Sequence, residues 1–525
     1  MTRAAEEIGR GLAPARAARP IPAGERIHVV GAAGAGASAA AILAACAGAA
    51  VTACDRSAVS PYVPAVEAAG VVVIEGHSAA HVLPQGTAAG DPDSSVPLVD
   101  RLAVTKALTS IDPDHAELKA ARASGVPIEA WQQVVADAAA TRRARLVAVA
   151  GTHGKSTSTG WLVDLLWRAG RDPSAFVGAL LPGPVSGVLP STARWGNGPE
   201  FVVEADEYAG NFDPYRPAMA VLLNAEWDHP DVFADEEAVL GAFEAWIRRM
   251  PGGDDPPTLV VNVGDRGAAL VAERLADWGG RLVAVALDPP PGAPRPETAV
   301  GPAWLVTGWI AAADPAGTAV LIEGLHADGR DAVPARVALP GRHSAQNALC
   351  VAAAAAAIGV PVPAIVESLA AFRGVGRRLE FKGEPWGVAV LDDYAHHPTA
   401  IAVTLAAVRQ RYPGRRIWAV YEPLTYHRTA ALLERFADVL AGGADAVAVA
   451  DIWAGRDPDT TIASAEGLAA AVRAKGMRGA TAPGSVTETA DWLATCVRPG
   501  DVVLVMGGGH SYRIAERLVE TLEGR

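Results

Sequence analysis

Between Ala144 and Leu166 the chain reads ARLVAVAGTHGKSTSTGWLVDLL: an apolar run, a glycine turn carrying a lysine and hydroxyls, then an apolar helical pattern. Glycines in such a turn free backbone N–H groups to face phosphate oxygens at the start of a helix, whose dipole favours anions. On this reading Gly151, Thr152, His153, Gly154, Lys155, Ser156 and Thr157 cradle a nucleotide. Lys155 reaches the β- and γ-phosphates, and Ser156 stands where a P-loop hydroxyl binds Mg²⁺. The usual pattern wants a glycine five residues before Gly154, where this chain has Val149. The bland alternative is a glycine-rich turn that merely begins a helix.

Two acidic clusters follow apolar strand-like runs. FVVEADEYAGNF presents Glu204, Asp206 and Glu207, and MAVLLNAEWDHPDVF presents Asn224, Glu226, Asp228, His229 and Asp231. In doubly wound sheets ligands bind outside the carboxyl ends of strands, so these groups are expected to converge on the Lys155 turn. Hard oxygen donors with one imidazole suit Mg²⁺ bound to ATP phosphates. Taken singly, each carboxylate reads as a solvated loop charge.

Three punctuated blocks must position these groups. The first opens with RIHVVGAAGAGASAAAILAACAGAAVTACD, a strand, a glycine turn, a small-residue helix and a second strand ending at Asp55, the start of a βαβ unit. Its glycines, Gly31, Gly34 and Gly36, are spaced GxxGxG rather than GxGxxG. The polar stretch QGTAAGDPDSSVPLVD reads as a surface loop, and LDPPPGAPRPETAVGP as an exposed excursion. The fold class expected is α/β in three consecutive domains: a Rossmann-like N-terminal domain, a P-loop ATPase-type central domain with a parallel sheet, and a Rossmann-like C-terminal domain. The expected boundaries are a flexible segment over 1–24, then domains over 25–140, 141–336 and 337–525.

A net charge of −13 argues against a general nucleic-acid binder, which needs clustered Lys and Arg. Cys46, Cys54, Cys350 and Cys496 lack metal-ligand spacing and read as reduced structural thiols. The N-terminus has no signal-like apolar core, and the alanine run around Ala352 is broken by Gly359, Pro361 and Pro363. A buried helix followed by a loop, no membrane insertion and a cytoplasmic protein are therefore expected.

At these residues the chain resembles the Mur ligases, ATP-dependent amide-forming enzymes of bacterial wall synthesis. GTHGKS is similar to their shortened P-loop, which dispenses with the first glycine. IHVVGAAGAGASA, EGHSAAHV, VVEADE, NAEWDHPDVF, LPGRHSAQNALC, FRGVGRRLEFKGE, LDDYAHHPTAI and YEPLTYHRT resemble the family's other signatures, in the family's order. The resemblance implies ATP and Mg²⁺ as cofactors, UDP-N-acetylmuramate and L-alanine as substrates, and a monomer or weak homodimer. It further implies that ATP phosphorylates the sugar-nucleotide carboxylate to an acyl phosphate, which the amine then attacks.

The roles carry over residue by residue. Ser156, Glu204 and His229 are the implied metal ligands, with Lys155 on the γ-phosphate. His343 and Asn347, four apart and so on one helix face, approach the adenine. Of Arg377 and Arg378 one is the phosphate-facing arginine, Arg377 being placed with the catalytic set and Arg378 with ATP. Asp393 and His396 join the catalytic set; Tyr394, His397, Leu424 and Arg428 shape the amino-acid site. Gly31, Gly34, Ala35, Gly36 and Ser38 receive the UDP pyrophosphate, with His77 a second contact and Asp55 about where a Rossmann unit reads a ribose. A nicotinamide site in the same turn is the alternative there.

Several positions depart from the pattern. Ala33 and Ala39 replace glycines, Ser344 an asparagine, Thr105 and Lys106 part of a serine-rich segment, and Leu424 a histidine. Leucine neither titrates nor hydrogen-bonds, which puts the preference for L-alanine in question. Another small amino acid, a recycled peptide, or a binding protein without catalysis are the competing readings.

Overall fold

A computed structural model of the chain describes residues 8–84, 96–289, 292, 296–326, 331–455, 457 and 459–525. Most of the polar stretch after Pro84 lies outside these residues, as does much of the proline-rich excursion. Three main sheets follow one another along the chain.

The first holds β1 (Arg26–Val30), β2 (Ala50–Asp55), β3 (Val73–Glu75), β4 (Arg101–Val104) and β5 (Ile128–Ala130), all parallel, in spatial order 3-2-1-4-5. The strand order reverses between β1 and β4, so a ligand crevice opens beyond their carboxyl ends, beside the Gly31 turn. Helix Ala35–Cys46 follows that turn and buries Ala37 to Ala44 without a polar face. A helix apolar all round must be covered on several sides. Here one side packs on the first sheet and another meets the central domain, with Trp131 edge-on to Phe176 at 5.2 Å nearby.

Residues 8–24, expected to be flexible, are instead tied to this domain. Arg16 pairs with Glu129 and Asp137 at 2.9 and 2.7 Å, Ile21 N–H donates to Thr141, and buried Ile8 accepts from Thr109. Buried Arg101 shares the same carboxylates, so the segment adds a second cation to acids that Arg101 would otherwise face alone.

The central sheet contains β6 (Arg145–Ala150), β7 (Ser174–Leu181), β8 (Ser191–Arg194), β9 (Glu200–Ala205), β10 (Met219–Leu222), β11 (Thr258–Asn262) and β12 (Arg281–Leu287). After a two-residue hairpin, β13 (Glu297–Thr298) with β14 (Gly301–Pro302), it continues in β15 (Trp304–Asp314), β16 (Gly317–Glu323) and β17 (Val333–Val337). The order is 17-16-15-12-11-10-6-9-7-8, parallel from β15 to β7 and antiparallel at both edges. β6 lies between β9 and β10, so the phosphate turn and both acidic clusters leave adjacent strand ends. Burial on both faces accounts for the near-continuous apolar runs LVAVA, FVV and MAVL.

Helices Arg342–Ala357 and Val362–Ala371 pack into the same core as β6, β10 and helix Lys155–Arg168. The boundary expected at 336/337 therefore falls too early. The alanine run needs the central sheet to cover it, and the third sheet begins only at Glu380. That sheet comprises β18 (Glu380–Gly383), β19 (Ala389–Asp393), β20 (Ile417–Glu422), β21 (Ala446–Ala450), β22 (Thr481–Gly484) and β23 (Val502–Gly507). Its order is 18-19-23-20-21-22, parallel except for the β18 edge, with a core on each face. No helix among the described residues is long and apolar enough to cross a membrane.

Candidate active site in the cleft between the domains

Gly154 starts helix Lys155–Arg168 in the left-handed region, φ 80°, and Gly151 sits at φ 138°. A Cβ at Gly154 would lie 2.8 Å from Asn347 Nδ2, and one at Gly151 3.0 Å from Asn224 O. Both glycines are thus required by conformation and by close approach. Asn224 fixes the turn between them, accepting from His153 N–H at 2.7 Å and donating to His153 O at 3.0 Å. Thr152 Oγ1 accepts from Glu226 N–H at 2.9 Å, joining the turn to the end of β10.

Lys155 Nζ donates to Gly151 O at 2.7 Å and to Glu207 Oε2 at 2.9 Å, with Asp206 Oδ1 at 3.5 Å. Burial disfavours its cation, but Glu207 and then Asp206 overcome this, so its pKa is raised and it stays charged. Burial pushes Glu207 up to about 6 against the pull of Lys155. Burial also opposes ionised Asp206, yet Lys155 and His229 hold it below the ordinary value. Ser156 Oγ donates to Glu204 Oε1 at 3.0 Å, and Gly178 N–H holds the other Glu204 oxygen at 2.7 Å. His229, in the left-handed region at φ 56°, brings Nε2 to 4.0 Å from Glu207 Oε1 and stacks edge-on with Tyr208.

Asp206, Glu207 and His229 place ligand-capable atoms within 4.8 Å of one another. Asp206 and Glu207 stand beside the implied trio of Ser156, Glu204 and His229. Asp206 and Glu207 were legible in VVEADE as acidic residues; that they hold Lys155 was not.

The third domain closes the cleft. Arg378 reaches across to Ser156 Oγ at 3.0 Å, its guanidinium 4.9 Å from the Tyr394 ring centre. Arg377 turns the other way, to Asp392 Oδ2, Gly507 O and Ser511 Oγ at 3.1, 3.1 and 2.9 Å. So the arginine facing the phosphate turn is Arg378. Asp393 accepts from Leu379 and Ala395 N–H at 2.7 Å each, shaping the segment that carries both arginines and the histidines. His396 Nδ1 lies 2.9 Å from Tyr394 O. Burial, with Arg428 adding, holds His396 well below the usual imidazole range.

Arg428, expected to meet an anionic ligand group, is paired with Asp228 through Nε and Nη2, 3.0 and 2.8 Å from one oxygen. Both side chains are 4 % exposed. Glu226 ties the domains a second time, accepting from Thr399 Oγ1 and from Arg435 at 2.8 Å each, with His153 Nε2 at 3.2 Å. Arg435 and Glu226 in this role carried no signal in the sequence, because a salt bridge between residues 209 apart has no spacing to read.

His397 is 1 % exposed, and its Nδ1 accepts from Thr399 N–H at 3.4 Å, capping helix Pro398–Arg411. Burial, reinforced by nearby His153, pushes its pKa down to about 3 from 6.5. Folding therefore favours the neutral ring: this stabilisation is complete above about pH 6.5 and is lost as pH falls toward 3. Thermal unfolding from pH 7 to pH 4 is expected to show a falling Tm, with a shallower fall in His397→Asn. A variant with the wild-type slope would show that the cap does not titrate.

Two cavities that share Gly154 and Arg378 on their walls occupy the cleft. One of about 200 Å³ is lined by Gly154, Thr157, His343, Asn347, Arg378 and Thr404 among others. His343 and Asn347 stand on one face of helix Arg342–Ala357, as their spacing implied, but on the central domain. The other, about 580 Å³, runs from Lys155, Glu204 and His229 to His396, Leu424 and Arg428, with Ile111 of the first domain on its wall. Leu424 bridges to Trp453 and stands with Tyr394 around Gly508, which sets an apolar patch beside His396 and Arg428 at this end of the cavity.

In the first domain the expected residues divide. Gly31, at φ 88°, is the turn residue that needs the left-handed region; Ala33 does not, so alanine there is tolerated. Gly34 begins helix Ala35–Cys46, and a Cβ at Gly36 would lie 2.2 Å from Trp131. Asp55 Oδ2 accepts Ala33 N–H at 2.9 Å and so braces the turn itself. Ser38, fully buried, bonds Ala35 O and Thr192 of the central domain, which turns it from a ligand contact into a domain contact. His77 lies against Cys54 and Glu117, at 3.4 and 3.5 Å.

Comparison with known proteins bears on the whole chain. The Mur ligase family, catalytic domain, matches residues 26–143; the Mur ligase middle domain matches 149–355; the Mur ligase, glutamate ligase domain, matches 377–509. A UDP-N-acetylmuramate–L-alanine ligase of Roseiflexus sp. (strain RS-1) is 35 % identical over 509 residues, 94 % of this chain and 98 % of the relative. This chain belongs to the Mur ligase family. A second such relative, from Mycobacterium avium (strain 104), is 35 % identical over 95 % of this Mur ligase and 96 % of its own length. In fold, this Mur ligase is similar to a UDP-N-acetylmuramate-alanine ligase from Thermotoga maritima, TM-score 0.73 at 23 % identity over 95 % of this chain and 99 % of the other. It is likewise similar to a murein peptide ligase from Psychrobacter arcticus 273-4, TM-score 0.68 at 24 % identity over 96 % and 99 %. The three-domain α/β architecture expected from the sequence is that of the family.

Proposed function

We propose that this Mur ligase joins L-alanine to the carboxylate of UDP-N-acetylmuramate with hydrolysis of ATP to ADP and phosphate, in peptidoglycan precursor synthesis. The observation that carries the reading is one cleft in which the Lys155 turn, the β9 and β10 carboxylates and the third domain's Arg378, His396 and Arg428 meet. The carboxylate oxygen of the sugar nucleotide takes the γ-phosphoryl group as its bond to the β-phosphate oxygen breaks. The amine nitrogen of the amino acid then bonds the carbonyl carbon, phosphate leaves, and the amine loses a proton.

Little covalent chemistry falls to the protein, so positioning and charge neutralisation dominate. Lys155 is held cationic beside the turn and exchanges its Glu207 contact for the γ-phosphate. Arg378 meets the same phosphoryl group from the opposite domain. His343 and Asn347 wall the adenine side. The donors Ser156, Glu204, Asp206, Glu207 and His229 fit Mg²⁺, being hard oxygens with one imidazole. When bound, the ion would neutralise charge on the phosphates. The first domain takes the UDP-sugar at the Gly31 turn, and the third admits the amino acid near Tyr394 and Leu424. The cleft is completed within one chain, which fits a monomer or weak homodimer, and ATP use fits the cytoplasm.

Phosphate release by the purified protein, with ATP, Mg²⁺ and UDP-N-acetylmuramate and one amino acid at a time, tests the reading. Release dependent on both sugar nucleotide and L-alanine is expected; release only with a peptide would overturn the amino-acid assignment. Leu424→His should change the ranking of L-alanine, glycine and L-serine by kcat/KM about 3–10-fold, since a polar group replaces an apolar side chain in the cavity wall. An unchanged ranking would remove Leu424 from the specificity set.

A further inference from the structure

Beneath the first sheet's carboxyl end lies a cluster that the ligase reaction does not use. His28 on β1, Cys54 on β2, His81 in the short helix Ala79–His81 and Glu117 in helix Ala116–Ser124 bring ligand-capable atoms within 4.8 Å of one another. His28 Nε2 is 3.2 Å from Cys54 Sγ, Cys54 Sγ is 3.3 Å from Glu117 Oε1, and His81 Nδ1 is 2.9 Å from that oxygen. We propose that these four side chains form a structural site for a thiophilic divalent cation of the zinc type.

Four observations converge on this. The first is spacing. With metal–sulfur bonds near 2.3 Å and metal–nitrogen or –oxygen bonds near 2.0–2.1 Å, tetrahedral ligand atoms stand about 3.3–3.6 Å apart, close to the 3.2 and 3.3 Å from Cys54 Sγ to His28 and Glu117. The second is burial: His28, Cys54 and the Glu117 side chain are 0 % exposed and His81 is 11 % exposed, so the ligands enclose the centre as closed structural sites do.

The third is charge. Buried Glu117 faces histidines but pairs with no lysine or arginine among the described residues, and a dication bound to one carboxylate, one thiolate and two neutral imidazoles leaves the site neutral. On binding, Cys54 loses its thiol proton to solvent. The fourth is the outer layer. His28 Nδ1 is 2.8 Å from Thr52 Oγ1, which leaves Nε2 for the centre, and Ser78 N–H donates to Glu117 Oε1 at 3.0 Å. Such partners orient metal ligands. His77, edge-on to His115 at 4.4 Å, brings its Nδ1 to 3.4 Å from Cys54 Sγ.

A network of hydrogen bonds alone has no need of a thiol, which is a weak donor. Thiolate with imidazole and one carboxylate favours zinc over magnesium, which separates this centre from the oxygen-rich cleft. Its place suggests its use. Cys54 O accepts the N–H groups of Gly31 and Ala32, and neighbouring Asp55 holds Ala33, so an ion on Cys54 would fix the strand end on which the glycine turn rests.

The test is Co²⁺ titration of the full-length protein after chelator treatment, followed by thermal unfolding with and without Zn²⁺. Wild type is expected to show a near-ultraviolet thiolate-to-cobalt charge-transfer band at one equivalent and a Zn²⁺-raised Tm. Cys54→Ser should lose the band. His81→Asn, at the edge of the site, should weaken Co²⁺ binding at least about 10-fold while keeping the fold. No sulfur band in the wild type overturns the proposal. So does a Zn²⁺-raised Tm that survives in both variants, which would place the ion elsewhere, for example at His153, Glu226 and His397, or a sulfur band that survives Cys54→Ser, which would place it on another cysteine.

Discussion

Lys155→Ala is expected to lower the rate of phosphate release at least about 10³-fold at saturating substrates, the loss typical when a charge that stabilises a transferring phosphoryl group is removed. The structure explains why no neighbour substitutes. Lys155 is the cation seated between the turn carbonyls and the Asp206–Glu207 pair, while Arg378 approaches from the other side through Ser156. The loss should fall mainly on kcat, because the ammonium acts on charge that moves during transfer. Glu207, 2 % exposed, would also lose its counter-charge. Its folded pKa, already up at about 6 against 4.5, means that folding favours its protonated form, so stability declines as pH rises between these values. Without Lys155 that window should extend upward, and the variant should lose Tm more steeply than wild type between pH 6 and 8. Single-turnover phosphate release and Tm against pH read the two effects separately. Wild-type turnover in the variant would refute the placing of ATP on this turn.

Arg428→Ala is expected to destabilise the junction of the central and third domains by about 3–5 kcal/mol, the usual cost of stranding a buried charge. Asp228 would then lie 4 % exposed without its guanidinium. Burial alone would raise its carboxyl; Arg428, and after it His229, hold it well below 3.8 instead. A depressed carboxylate stabilises the fold above its unfolded pKa, and that contribution is lost as pH falls through the folded value. In Arg428→Ala the acid-side dependence should weaken for this reason. Urea unfolding at pH 7 measures the main effect. The double variant Asp228→Ala, Arg428→Ala should be less destabilised than Arg428→Ala alone, since no charge is then stranded. Additive losses would show that the pair is not the source of the effect.

Local order determined much of this protein. The glycine turn ending at Lys155, the apolar strands with acids after them, and the four-residue spacing of His343 and Asn347 are each set by neighbours in sequence, and each has the local structure its pattern implied. The α/β class follows from the same alternation, because strands covered on both faces must be apolar throughout. Residues 8–24, expected to be flexible, are held for a physical reason: Arg16 looks like a solvated charge until Glu129 and Asp137 are brought beside it by β5 and the helix after it.

Tertiary structure alone decided which charge faces which. Adjacent Arg377 and Arg378 point to different domains, and Arg428 spends its guanidinium on Asp228, 200 residues earlier in the chain. Ser38, Asp55 and His77 have types suited to a ligand, yet they brace Thr192, the Ala33 amide and the Cys54–Glu117 cluster. That cluster draws on His28, Cys54, His81 and Glu117 from four separate segments, so no spacing in the chain announces it. Sequence neighbours fix backbone conformation through short-range sterics and hydrogen bonds, whereas buried charges choose partners through sheet order, which only the folded chain contains.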